Sequence, residues 1–185
     1  MEKEIPKLIL NNNLEKIKNF NNTDLIQIDI DNNINQIKNE KKTIVKSNNT
    51  LYTIILADDN HLINSCNERI IKGIVKKDDL YKYEIIKVSD GLDVIKIFLN
   101  MENKEKIKLI ITDENMDCFN GSEMIKFIRK VEKLNKLKKI KIASVSSEDD
   151  ERHRNYLIDC GADFVFSKPL SKGNVRIALD GDVEN

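Results

Sequence analysis

From Leu51 to near the C-terminus, five short apolar runs alternate with stretches of helical periodicity, and this alternation leaves few folds open. The strand-like runs cover 53–58, 84–89, 107–112, 140–145 and 163–167, and the helical stretches cover 60–76, 92–101, 122–134, 148–160 and 172–180. A buried parallel strand reads as a continuous apolar run. Strand–helix repeats of this length build a parallel sheet with right-handed crossovers and helices on both faces. Leu62, Ile63, Cys66, Ile70 and Ile74 recur at helical spacing and predict the inward face of the first helix. Leu92, Ile95, Phe98 and Leu99 do so for the second, and Met124, Ile125, Ile128 and Val131 for the third. The acidic run Glu148, Asp149, Asp150, Glu151 suits a helix N-terminus, and Gly161 suits the residue just past its C-terminus.

Residues 1–50 differ. They are rich in Asn, Lys and Ile, with the run Asn11-Asn12-Asn13 and the pairs Asn21-Asn22, Asn32-Asn33 and Asn48-Asn49. Neither the short helical pattern around Leu10, Leu14 and Ile17 nor the alternation of Ile26, Ile28 and Ile30 lasts long enough to build a core. The expectation is an Asn/Lys-rich, mostly disordered linker over 1–50 and a folded domain over 51–185.

Bulk composition narrows the function classes. Lys+Arg and Asp+Glu are both 31, so the formal net charge is +0 and bulk charge does not drive nucleic-acid binding. No apolar stretch approaches the roughly 20 residues that cross a bilayer, and the N-terminus lacks the pattern of a secretory signal. Cys66, Cys118 and Cys160 are isolated, which predicts reduced thiols and a cytoplasmic setting. Cys118 lies near the candidate site. His61 and His153 read as surface side chains, Glu114 as charge at the rim of the site, and Asp90-Gly91 as a turn.

The chemistry collects at strand ends. Asp58-Asp59 follow Thr53–Ala57, Asp113 follows Ile107–Thr112, Ser146-Ser147 follow the fourth run, and Lys168-Pro169 follow Phe164–Ser167. In open α/β sheets, ligands bind just beyond the carboxyl ends of the strands. Three carboxylates and one ammonium delivered there suit a metal and a phosphoryl group.

With these residues in place, the chain over 53–180 resembles the receiver domain of two-component response regulators, including those fused to hybrid histidine kinases. The family carries an acidic pair after its first strand, a phosphoacceptor Asp in a D-x-x-M-P-x-x-x-G pattern after the third, a Ser or Thr after the fourth and Lys-Pro after the fifth. The corresponding residues here are Asp58-Asp59, Asp113 through Gly121, Ser146 and Lys168-Pro169, with Asp117 in place of the Pro. The resemblance implies a flavodoxin-like, doubly wound five-stranded sheet of order 2-1-3-4-5, and a Lys168-Pro169 bond that is cis.

It also implies the roles. Asp113 accepts the phosphoryl group from a phosphohistidine of a histidine kinase or histidine phosphotransfer protein. Mg²⁺ is held by Asp59 directly, by Asp58 more through water, by Asp113 and by the backbone carbonyl of Asn115. Oxygen ligands in this number suit Mg²⁺. Lys168 contacts a phosphate oxygen, and Ser146 moves to bond another, which is the family's switch. Such a protein is no enzyme beyond catalysing its own aspartyl phosphorylation and dephosphorylation. One departure stands out: the aromatic residue usual three positions before the lysine is Val165, and its neighbours Phe164 and Phe166 must point to the other face. Altered or weaker coupling of the phosphorylated state is expected.

Two other readings compete. A degenerate receiver would dock partners without phosphorylation, but it would lack one of the acidic residues or Lys168. An aspartate-nucleophile phosphohydrolase needs a second Asp two residues after the nucleophile, where this chain has Asn115. Too few residues follow Lys168 for an output domain, so the chain reads as a stand-alone receiver, a relay shuttle or the tail of a hybrid kinase.

Overall fold

The computed structural model describes residues 51–75 and 82–181. The expected linker over 1–50 lies outside the described residues.

Among the described residues, five strands and five α-helices alternate: β1 (Leu51–Ala57), α1 (His61–Val75), β2 (Lys82–Val88), α2 (Gly91–Asn100), β3 (Ile107–Asp113), α3 (Gly121–Asn135), β4 (Lys141–Ser146), α4 (Glu151–Asp159), β5 (Phe164–Ser167) and α5 (Lys172–Asp180). The strands form one parallel sheet in the order β2-β1-β3-β4-β5, the flavodoxin-like arrangement expected from the resemblance. β3 lies in the middle and is buried along almost its whole length, which its unbroken apolar run anticipates.

Alternation along β3 divides the core. Ile110 packs with Val94, Phe98, Ile125, Ile128 and Leu157 under α2, α3 and α4. Leu109 and Ile111 pack with Ile71, Val175 and Ala178 under α1 and α5. Each fully buried side chain of this kind contributes about 1.5–3 kcal/mol by leaving water, so the two layers together fix the strand register.

That register places the site. Ala57 pairs with Thr112, so Asp58 and Asp113 emerge side by side. Asp113 pairs with Val145 and Ser146 with Ser167, which puts Ser146 and Lys168 one step further along the same carboxyl edge. The Lys168–Pro169 bond is cis, and Gly161 takes φ 106°, where a glycine is favoured.

The face expected for α1 is corrected in part: Ile70 and Ile74 pack against the core as expected, but Leu62 and Cys66 do not. Its buried residues are Asn64, Asn67 and Ile71, while Leu62 is 79% exposed and Cys66 is exposed. The reason is hydrogen bonding: the Asn64 side-chain amide donates to the carbonyls of Val88 (2.8 Å) and Asp58 (3.3 Å) at the sheet edge. Satisfying those buried carbonyls turns a polar side chain inward. In α2, Val94 takes the inward place given to Leu99, which is 42% exposed.

His153 is also corrected. Its side chain is only 13% exposed, and its Nδ1 lies 3.3 Å from Glu148. His61 is exposed, as expected. The three cysteines are free: Cys66 and Cys118 are exposed, and Cys160 lies in the core beside α4.

Candidate functional site

β1 delivers Asp58 and Asp59 and β3 delivers Asp113, and one carboxylate oxygen from each lies within 4.8 Å of the other two. Asp58 and Asp113 are buried, and Asp59 is exposed. Lys168 reaches in from the end of β5. Its Nζ lies 2.7 Å from Asp113 Oδ2 and 3.2 Å from Asp58 Oδ2. The four residues read from the sequence are thus brought together.

The charges are uneven. Burial pushes the Asp58 carboxyl above its ordinary pKa; the Asn60 amide and Lys168 pull it back, and Asp113 adds to the rise. Burial opposes the Lys168 charge as well, but its bonds to Asp113 and Asp58 outweigh that and hold its pKa above the usual lysine value. One ammonium faces three carboxylates, so the cluster has an excess of negative charge. Clustered carboxylate oxygens with an excess of negative charge fit a hard divalent cation such as Mg²⁺.

Local bonds hold each side chain. Asp58 Oδ1 accepts the Asn60 amide at 2.9 Å, and the Asn60 side chain accepts the amides of Leu62 and Ile63 as α1 starts. Asp113 Oδ1 accepts the Glu114 amide at 2.8 Å. Ser146 is buried, its Oγ accepts the Glu148 amide at 3.1 Å, and its carbonyl accepts the Lys168 amide at 2.8 Å. Asn115 is exposed in the loop between β3 and α3. Val165 is buried on the α4 side of the sheet, whereas Phe164 and Phe166 pack on the opposite side with their rings stacked.

Two residues carry more than the sequence reading gave them. Asp90 is no simple turn. It caps α2 through the Leu92 amide (2.8 Å), and its other oxygen accepts the amides of Cys118 (2.8 Å) and Phe119 (3.1 Å). It therefore clamps the loop that carries Asn115. Gly91 completes the clamp by donating to the Phe119 carbonyl, and a Cβ there would lie 2.5 Å from that oxygen. The Asp-Gly dipeptide was the available signal, but its partner loop is remote in sequence.

Glu114 is not rim charge. It is buried, and its carboxylate accepts both the amide and the hydroxyl of Ser122 at 2.7 Å. A carboxylate at the first turn of α3 also meets the positive end of the helix dipole. Gly121 is needed between them, because a Cβ there would collide with the Asp113 carbonyl.

The geometry can bind a cation and place one carboxylate oxygen against an ammonium. Comparison with known proteins bears on what that does. The family model described as "Response regulator receiver domain" matches residues 54–180. A two component response regulator from Cytophaga hutchinsonii has a similar structure, with a TM-score of 0.60 and 23% identity over 71% of this chain and 96% of its own. The chemotaxis response regulator CheY4 of Vibrio cholerae gives 0.56 and 18%, over 71% of this chain and 98% of its own. A response regulator protein from Burkholderia pseudomallei, with a phosphorylated aspartic acid, calcium ion and citrate, gives 0.54 and 14%, over 71% of this chain and 68% of its own. At these identities the likeness is one of fold. No curated protein matches the sequence.

Proposed function

Because the chain belongs to the response regulator receiver domain family, we propose that Asp113 accepts a phosphoryl group from the phosphohistidine of a histidine kinase or phosphotransfer protein. The observation that carries this reading is the Lys168 ammonium bonded at 2.7 Å to a buried carboxylate that shares a 4.8 Å cluster with Asp58 and Asp59. The response regulator from Burkholderia pseudomallei, with its phosphorylated aspartic acid and calcium ion, supports it by likeness.

In the transfer, an Asp113 carboxylate oxygen attacks phosphorus, the new P–O bond forms, and the P–N bond of the donor breaks with its electron pair returning to the imidazole. Asp58, Asp59, Asp113 and the Asn115 carbonyl would hold Mg²⁺, which supplies charge neutralisation for the carboxylates and the transferring group. Lys168 carries its positive charge to a phosphoryl oxygen, since it already sits on Asp113. Ser146 Oγ accepts the Glu148 amide and keeps its own hydrogen to donate to another phosphoryl oxygen. The chain is then a switch that catalyses only its own phosphorylation and dephosphorylation.

Incubation with Mg²⁺ and acetyl phosphate, followed by intact mass, tests the reading. One added phosphoryl group is expected in the wild type and none in Asp113→Asn. Labelling that persists in Asp113→Asn, or a folded wild type that never labels, contradicts it.

A further inference from the structure

The buried carboxylate beside the acceptor is the end of a chain of hydrogen bonds that runs out to α4. Lys126 Nζ donates to the Tyr156 hydroxyl (3.4 Å), Tyr156 donates to Ser122 Oγ (3.3 Å), and Ser122 donates to Glu114 Oε1 (2.7 Å). Every donor points the same way, from an ammonium to a carboxylate through two hydroxyls. Hydrogen bonds aligned in one sense polarise and strengthen one another. The Lys126 ammonium also lies 5.0 Å from the centre of the Tyr156 ring. The Glu114 amide then continues the path to Asp113 Oδ1 at 2.8 Å.

The element at the far end is lightly packed. Of the nine residues of α4, only Leu157 is buried. Few buried contacts mean a low local cost of movement. Val165, beneath α4, offers the core a small aliphatic side chain where an aromatic one would fill more space. Tyr156, 43% exposed, thus ties α4 to α3 and, through Ser122 and Glu114, to the end of the acceptor strand, while Arg154 ties α4 to β5 through the Val165 carbonyl (2.8 Å).

The geometry points to Tyr156 as the residue through which α4 senses the state of Asp113, by way of Ser122 and Glu114. This rests on Asp113 being the phosphoryl acceptor. In the free carboxylate, the Glu114 amide bonds an ionised oxygen. When Oδ2, the oxygen beside Lys168, carries the phosphoryl group, Oδ1 becomes the neutral carbonyl of the acyl phosphate, and charge-assisted bonds are roughly twice as strong as neutral ones. Weakening that bond frees the Glu114 backbone, shifts the carboxylate that holds Ser122, and loosens the Tyr156 hydroxyl. Tyr156 is a positioning residue here and touches no reacting atom.

The test is solution NMR of the full chain with Mg²⁺, with and without beryllofluoride, in wild type, Tyr156→Phe and Ser122→Ala, alongside acetyl phosphate labelling by intact mass. Tyr156→Phe keeps the ring and removes only the hydroxyl. The wild type is expected to show shifts of the Tyr156 ring and of the α4 amides. Both variants should still take up phosphoryl, and their α4 amides should stay close to the unphosphorylated positions. Wild-type α4 shifts in Tyr156→Phe, or a Tyr156 ring that does not respond in a labelled wild type, overturn the inference and leave the acceptor assignment standing. A folded wild type that takes up no phosphoryl overturns both.

Discussion

Asp90 Oδ2 accepts the Cys118 amide at 2.8 Å across 28 positions of sequence, and so joins the start of α2 to the loop beyond Asp113. The loop is short of other anchors: Asn115, Asp117 and Cys118 are exposed, and Met116 alone of residues 115–118 is buried. Replacing Asp90 by Ala removes a helix cap worth about 1 kcal/mol and two loop hydrogen bonds worth about 0.5–1.5 kcal/mol each, and a net loss of about 2–4 kcal/mol in urea unfolding is expected. Mg²⁺ affinity should fall as well, measured by calorimetry, because the loop carrying the Asn115 carbonyl loses its clamp. Unchanged affinity in a folded Asp90→Ala protein would remove Asp90 from the site.

Lys168 makes a signed prediction about pH. Its folded pKa is raised, so its contribution to stability is fully present below the unfolded lysine pKa and is lost as pH rises through the folded one. Lys168→Met should therefore be less stable than wild type near neutral pH, with the gap closing at strongly alkaline pH. A gap that stays constant across that range would place the effect in packing and not in charge.

The Asp58 carboxyl should make Mg²⁺ binding sensitive to acid. Burial raises its pKa, so protons compete with the cation above the ordinary carboxylate range. Without Mg²⁺, the folded state gains stability as pH falls through that raised pKa, and Mg²⁺ binding weakens over the same window. Titrations of Mg²⁺ against pH should show this fall in wild type and a flatter profile in Asp58→Asn.

Away from the site, Arg129 fastens α3 to β4 and β5. Its guanidinium reaches Glu132 (2.7 Å), Asp163 (2.6 Å) and the carbonyls of Gly161 and Ile140 (2.8 and 2.9 Å). Glu132 and Asp163 side chains are 6% and 2% exposed. Removing one partner of a buried pair costs about 3–5 kcal/mol, so Arg129→Ala should be strongly destabilised. Urea unfolding decides this, and a loss under about 1 kcal/mol, the value of a surface pair, would contradict it.

The strands and the acceptor cluster were readable because a buried parallel strand must be apolar throughout, and the residues ending it stand out as charge. Asp58, Asp113 and Lys168 are legible for that reason. The face of α1 was not, because apolar spacing said nothing about Asn64, whose burial depends on the carbonyls of Asp58 and Val88. Glu114 and Asp90 were missed on similar grounds. Each is an acidic residue that local pattern reads as solvated, and each is buried by amides that only the folded loop presents.

In the proposed reaction one carboxylate of the three, that of Asp113, takes the phosphoryl group. Borohydride trapping of the acyl phosphate after acetyl phosphate treatment, followed by peptide mass mapping, tests it most directly. The modification should fall on Asp113 alone, with Asp58 and Asp59 unmodified. A trapped product at either of those residues, or at another side chain with Asp113 intact, would contradict the assignment.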